Sequence, residues 1–205
     1  MTLLLLLAGL AAVADALTAT INTGQTYQTM DGFGFSQAFG RANDLYNLNS
    51  SQRQYALDLL FSPTKGAGMT ILRNRIGSGS GDSILPTSPG SPNATPQYKA
   101  LGTDSNQVWV TQQAVKYGVK TIYADAWSAP GFMKTNNDQG NGGYLCGVRN
   151  TNCASGNWMQ AYANYLVKYI QDYAALGLAI THVGFLNEPD LTYVSFALLS
   201  SRIRY

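Results

Sequence analysis

The stretch Thr181–Asp190, THVGFLNEPD, decides the fold. Its apolar run from Val183 to Leu186, broken only by a glycine, delivers Asn187 and Glu188 to its end, and Pro189 follows. Such a run reads as a buried strand, and a proline just beyond it cannot donate to a sheet ladder. Glu188 is also the only glutamate in the sequence. A carboxylate at the C-terminal tip of a buried parallel strand is where (β/α) barrel enzymes keep their chemistry. The same tripeptide also suits a helix N-terminus, with Asn187 capping and Glu188 favoured by the dipole, so the preceding chain has to decide.

Upstream, Asn157 caps a helix whose apolar face is Trp158, Tyr162, Tyr165, Leu166, Tyr169, Ile170 and Tyr173, and Gly177 ends it. That spacing is helical, and the stripe reads as core. Before it, Val119–Ala126 forms a strand closed by Trp127-Ser128-Ala129-Pro130, after a helix from near Asp104 to Gly118. Met69–Ile76 is another strand, preceded by a helix capped by Asn49 or Ser50 with Tyr55, Ala56, Leu59 and Leu60 on one face. The glycine-broken segment Met30–Phe39 is the first barrel strand, and a turn at Asn22-Thr23-Gly24 makes a hairpin of the residues before it.

Strands alternating with helices argue for a parallel sheet. The expected fold is α/β: an incomplete (β/α)8 TIM barrel of about the first four βα units, preceded by a β-hairpin. The divisions are residues 1–16 as a signal peptide, 17–30 as the N-terminal hairpin, and 31–205 as the N-terminal half of the barrel. Doubly wound sheets share this element order. However, GFGFSQAFG at Gly32–Gly40 has the wrong spacing for a dinucleotide fingerprint, and GSGSGD at Gly77–Asp82 lacks the Lys-Ser/Thr of a phosphate loop.

Charged residues make up only 12% of the sequence and the net charge is +2, with no basic run to suggest nucleic acid. Residues Leu3–Val13 are an apolar core followed by Ala14-Asp15-Ala16, a signal peptide with an A-x-A-like cleavage site, though without a positive n-region beyond the amino terminus. No other stretch is long and apolar enough to span a membrane, so the mature protein is expected to be secreted and soluble. Cys146 and Cys153 stand seven positions apart in a Gly/Asn-rich loop, which suits a local disulfide in an oxidising compartment and two free thiols elsewhere. Two cysteines and a distant His182 make no metal-ligand set, and no cofactor is implied. Asn49-Ser50-Ser51 and Asn93-Ala94-Thr95 are glycosylation sequons at Asn49 and Asn93.

In a barrel, four strand ends meet at one rim and present Arg41, then Arg73 and Arg75, then Trp127, then Asn187 and Glu188. An acid, an amide, guanidiniums and an indole form a sugar-binding inventory, the indole offering its apolar face to a pyranose ring. Cleaving a glycoside needs one carboxyl group to protonate the departing oxygen and a second carboxylate opposite it. Glu188 can be the first, and a donor that holds its proton near working pH is favoured by burial. Arg73 and Arg75 share one side of their strand, with Asn74 between them on the other. For Arg75 a salt bridge within the barrel competes with substrate contact. Asp82 and Asp125 are the other nearby acids, and Asp125, inside a strand, suits a structural hydrogen-bonding role.

These pieces resemble glycoside hydrolase family 30, the retaining enzymes that include glucosylceramidases, β-1,6-glucanases, β-1,6-galactanases and endoxylanases. The matching segments are GFG at Gly32–Gly34, ILRNRIG at Ile71–Gly77, ADAWSAPGFMKT at Ala124–Thr135 and FLNEP at Phe185–Pro189. The resemblance implies a polysaccharide hydrolase with Glu188 as general acid/base and Asn187 on the substrate's 2-hydroxyl, and it makes the N-terminal hairpin a strand pair of a β side domain. It makes Arg73 an orienting group for the catalytic carboxylates and Trp127 the lining of the subsite next to the cut. The wording of FSQAFGRA and LRNRIGSGSGDSI is most similar to fungal enzymes acting on xylan, including glucuronoxylan. That places Arg41 as a cleft residue able to recognise a carboxylate branch.

The resemblance also implies a nucleophilic glutamate at the end of a seventh strand, and this sequence has no second glutamate. The chain is therefore expected to be the first half of an enzyme, inactive alone. An open half-barrel with two free edges would leave Ile71, Ile122 and Phe185 exposed. A non-catalytic sugar-binding protein built on the same rim is the alternative of another class. Oligomeric state is not legible.

Overall fold

A computed structural model describes residues 18–77, 83–102, 104–140 and 142–188. The expected signal peptide at 1–16, Asp82, and everything from Pro189 onward lie outside the described residues. The chain divides into two compact units, residues 1–31 and 32–205.

In the first unit the hairpin is reduced to its turn. Gln25 N–H donates to Asn22 O at 3.2 Å and Gly24 N–H to Asn22 Oδ1 at 3.0 Å, but residues 18–31 carry no strand on either side. Ile21 and Tyr27, on either side of the turn, are both exposed. A lone two-stranded ribbon is marginal in water without an apolar face to pack on.

The second unit runs β1 Gly34–Ser36, α1 Arg41–Tyr46, α2 Ser50–Phe61, β2 Ile71–Ile76, α3 Gln107–Lys116, β3 Thr121–Ala126, α4 Met159–Ala175 and β4 His182–Gly184. A short 3-10 helix, Gly131–Met133, lies between β3 and α4. The sheet order is β1-β2-β3-β4 and every pair is parallel. Each new strand adds to the same growing edge, as in a barrel; a doubly wound sheet reverses direction after its first strands.

The strands are shorter than the apolar runs that announce them, and β1 shows why. Gly34 lies so close to β2 that a β-carbon there would collide with the Ile71 carbonyl. Phe39 and Gly40 then leave the extended region, with φ of 58° and 80°. The short helix α1 follows at once, and the sequence reading missed it: six residues are too few for a periodicity to show.

The helices pack on one face of the sheet. Leu72 and Ile122 sit with Leu57 and Phe61 of α2 and Val110 and Ala114 of α3. Ile76, Ala124 and Ala126 sit with Tyr162, Tyr165, Tyr169 and Tyr173 of α4, the stripe foreseen as core. Burying each such large side chain is worth about 1.5–3 kcal/mol. Ile122 is therefore buried against the helices and corrects the expectation that it would be exposed, whereas Phe185 is exposed. Asn49 caps α2, its Oδ1 accepting from Gln52 N–H at 3.0 Å. Asn157 Oδ1 accepts from Met159 N–H at 3.0 Å at the start of α4.

Candidate active site

The opposite face of the sheet carries the polar side chains, and β2 is locked from behind so that they stay there. The side-chain amide of Gln107 pairs with both backbone groups of Arg75, accepting from its N–H at 2.7 Å and donating to its carbonyl at 3.1 Å. Next to it, Gln37 Nε2 donates to Asn74 Oδ1 at 2.6 Å, and Asn74 Nδ2 donates to Thr111 Oγ1 at 3.2 Å. All four of these polar residues are buried. A buried hydrogen-bond network of this kind fixes register and orientation, although Gln37 Oε1 has no partner in it.

With Asn74 committed to the helix side, Arg73 and Arg75 project from the other face. The Arg73 guanidinium pairs with the Asp125 carboxylate through Oδ2 and donates to Asn187 Oδ1 at 2.5 Å. It thus ties together the ends of β2, β3 and β4. Asn187 is held a second time by its backbone N–H, which donates to Ala126 O at 2.9 Å. With its Oδ1 taken by Arg73, the Asn187 amide presents its Nδ2 hydrogens as donors. Asp125 is 2% exposed, so its charge depends on Arg73 for compensation. Burial first, and then the charge and hydrogen bond of Asp125, push the Tyr123 phenol above its ordinary value. Burial also lowers the Arg75 guanidinium from its ordinary value.

Glu188 follows directly on Asn187. It is exposed, and its φ of 48° lies in the left-handed region. The burial expected around a proton donor is thus not supplied by the described residues, because β4 ends at Gly184 and Glu188 stands beyond the sheet. A left-handed conformation costs a non-glycine residue about 1–2 kcal/mol, and such residues cluster at functional sites.

Trp127 requires a correction. It was expected to offer its face to a sugar, yet it is only 7% exposed. The Arg73 guanidinium lies 4.3 Å from its ring centroid, and Phe39 abuts it edge to face at 5.8 Å. Arg41 is likewise not brought into the cluster. It opens α1 on the surface, with Nη1 2.8 Å from Asp44 Oδ2 one helical turn away.

Phe39 and Lys134 escaped the sequence reading. Lys134, in the GFMKT wording, is 4% exposed. Its Nζ donates to Ser128 Oγ at 3.1 Å and to Asp138 O at 2.6 Å, binding the loop after β3 to that strand's end. Burial pushes its amine down to about 8, against the opposing pull of Asp138. Cys146 and Cys153 form a disulfide with Cα atoms 5.5 Å apart, closing part of the same loop. The sequon residues Asn49 and Asn93 are both exposed. Among the described residues, no three His, Cys, Asp or Glu gather as a metal set, and no helix is long and apolar enough to cross a membrane.

The family model described as glycosyl hydrolase family 59 matches residues 30–198. The catalytic domain of the family 30 xylanase C from Talaromyces cellulolyticus superposes with a TM-score of 0.80 at 55% identity, over 87% of this chain and 41% of that one. An endo-1,6-beta-D-glucanase of Aspergillus fumigatus is 32% identical over 79% of this chain and 35% of its own length. Another from Trichoderma harzianum is 31% identical over 79% and 34%. The chain therefore spans about a third of the length of these curated relatives.

Proposed function

Because the chain belongs to glycosyl hydrolase family 59 and is a glycoside hydrolase of family 30 type, we propose that it carries the acid/base half of a secreted, retaining endo-β-glycanase acting on xylan and glucuronoxylan. The observation that carries this reading is Arg73 bridging Asp125 and Asn187 immediately beside Glu188, at the C-terminal end of the sheet.

Glu188 is the general acid that protonates the departing glycosidic oxygen and then the base that activates water. Asn187 directs its Nδ2 to a hydroxyl of the sugar being cleaved. Arg73 orients that amide and adds positive charge to the floor of the site. Arg41 stands at the rim, and its surface ion pair with Asp44, of a kind worth about 0–1 kcal/mol, yields readily to a glucuronate carboxylate. A sugar polymer is the partner, and nothing in the charge pattern suits a nucleic acid.

Xylan is preferred over a β-1,6-linked glucan because likeness to the xylanase is much greater than to the β-1,6-glucanases. A β-1,6-glucanase, galactanase or glucosylceramidase-like activity is the second reading, supported by the curated relatives. A retaining reaction places a nucleophilic carboxylate about 5 Å from the acid. Glu188 is the only glutamate, and Asp125 is held by Arg73. The chain alone is thus expected to bind sugar without cleaving it.

The test is to assay the chain on glucuronoxylan, unbranched xylan, β-1,6-glucan and an aryl glycoside, beside a chimera in which it replaces the matching part of the Talaromyces xylanase. Turnover of xylan by the chimera, lost in Glu188→Gln, supports the proposal. Cleavage of β-1,6-glucan in place of xylan favours the second reading. Turnover by the chain alone that Glu188→Gln abolishes would overturn the division of the two carboxylates.

A further inference from the structure

We infer that the cavity between the loop after β2 and the first turns of α4 is a second, non-catalytic carbohydrate site, taking a neutral stretch of the β-linked polymer. Its choice of ligand rests on the sugar-active reading given above, but none of Arg73, Asn187 or Glu188 lines it.

The cavity holds about 420 Å3, within the span of small-ligand sites, about 300–1,000 Å3. Its floor is Leu85, Met133 and Trp158, each 1% exposed. Asn93, Gln160 and Asn164 stand exposed around it. None of its lining residues is charged, so an ionic ligand would find no countercharge there.

Two of the amides form a matched pair. Gln160 Nε2 donates to Asn164 Oδ1 at 2.9 Å, one turn along α4. That bond leaves Gln160 Oε1 as an acceptor and the Asn164 Nδ2 hydrogens as donors, neither with a partner among the described residues. An acceptor beside a donor suits a pair of sugar hydroxyls, each of which both donates and accepts. The apolar floor suits the C–H groups of the ring.

The walls are set before any ligand arrives. Pro89, Pro92 and Pro96 fix φ at three positions of the loop. Its base is closed by Lys99 N–H, which donates to Ile84 O at 2.7 Å. Ser83 Oγ lies 3.4 Å from the Tyr165 hydroxyl of α4. Pro92 packs against Gly156, where a β-carbon would come within 3.2 Å of the proline ring. Little entropy is therefore lost in ordering the site around a ligand. Both walls lie where the chain leaves a strand end for a helix start, so the cavity belongs to the same end of the sheet as Asn187 and Glu188. A polymer held there is kept at high local concentration near the rim without occupying it.

The experiment titrates xylohexaose into the chain, made in bacteria so that the Asn93 sequon carries no glycan. Heat and the side-chain amide NMR signals of Gln160 and Asn164 are read together. Wild type, Gln160→Ala/Asn164→Ala and the rim variant Asn187→Ala are compared. Alanine suits these exposed helix positions, so the double variant should melt as wild type does. Both amide signals should shift in wild type and in Asn187→Ala, and the double variant should bind about tenfold more weakly at the cavity. Binding to wild type without those shifts overturns the cavity site and leaves the rim and the proposed function standing. An unchanged isotherm in the double variant does the same. Shifts that disappear in Asn187→Ala also overturn it, because the two sites would then be one. No binding by wild type removes the sugar-active reading and the cavity site together.

Discussion

Gly184 of β4 lies directly beneath the Asp125 carboxylate of β3: a β-carbon at this position would stand inside van der Waals contact of both Asp125 Oδ1 and the Tyr123 hydroxyl. The two strands pair in register at these residues, so neither backbone can swing away. Gly184→Ala should therefore displace Asp125 from Arg73. Overpacking of this kind costs about 1–3 kcal/mol. Chemical denaturation should show that loss, and sugar binding should weaken with it. A Gly184→Ala protein as stable as wild type would show that the carboxylate has room to move.

Glu188→Gln, placed in the chimera, should remove the proton donor while leaving sugar affinity largely intact. General acid catalysis contributes about 10²–10⁴-fold, so turnover of xylan should fall by that order. The loss should shrink on aryl glycosides whose leaving groups need no proton. Equal losses on natural and activated substrates would refute the acid assignment.

The left-handed backbone of Glu188 gives a separate outcome. Glu188→Gly should stabilise the fold by about 1 kcal/mol, since glycine takes this conformation freely. Thermal melts of wild type and variant read this directly. A lower Tm in the variant would mean that the glutamate side chain is stabilising the fold.

Arg41→Ala in the chimera should lower activity on glucuronoxylan far more than on unbranched xylan, because a guanidinium fits a carboxylate in two-pronged fashion. The exposed pair with Asp44 makes the substitution nearly neutral for stability. Equal losses on the two polymers would sink this role.

Alkaline titration separates two buried groups. The Lys134 amine is lowered to about 8, from 10.5, so at pH 9 the unfolded chain holds a proton that the folded chain has released. Stability should thus rise between about pH 8 and 10.5, by about 1.4 kcal/mol per pH unit for one proton. Burial raises the phenols of Tyr162, Tyr165, Tyr169 and Tyr173, Tyr165 to about 12. Above pH 10 the unfolded chain loses phenolic protons that the folded chain keeps, so stability should then fall. Urea melts at pH 7, 9 and 11 would show the rise and the fall. Lys134→Met should remove the rise alone, and a rise that persists in that variant would contradict the assignment.

The features legible in the sequence were those carried by periodicity. The tyrosine stripe of α4, the Asn49 cap and the order of strands need only local pattern, and they place Arg73, Asn187 and Glu188 at one rim. What escaped was decided by contacts between elements. The chain pattern does not reveal that Arg73 covers Trp127, nor that Phe39 takes a conformation better suited to glycine. Nothing in the local pattern marks Lys134, whose ammonium is held by Ser128 and the Asp138 carbonyl. Around the turn at Asn22 no ladder is present in residues 18–31, and a two-stranded ribbon persists in water only when something packs against it.

The disulfide of the loop after β3 also shapes how the protein breaks. Arg149 is exposed and lies inside the ring closed by Cys146 and Cys153. Trypsin cutting after Arg149 therefore adds the mass of one water without separating the two pieces. Such nicked material migrates as an intact chain until a reductant divides it. An electrophoretic gel run without reductant would score it as undamaged.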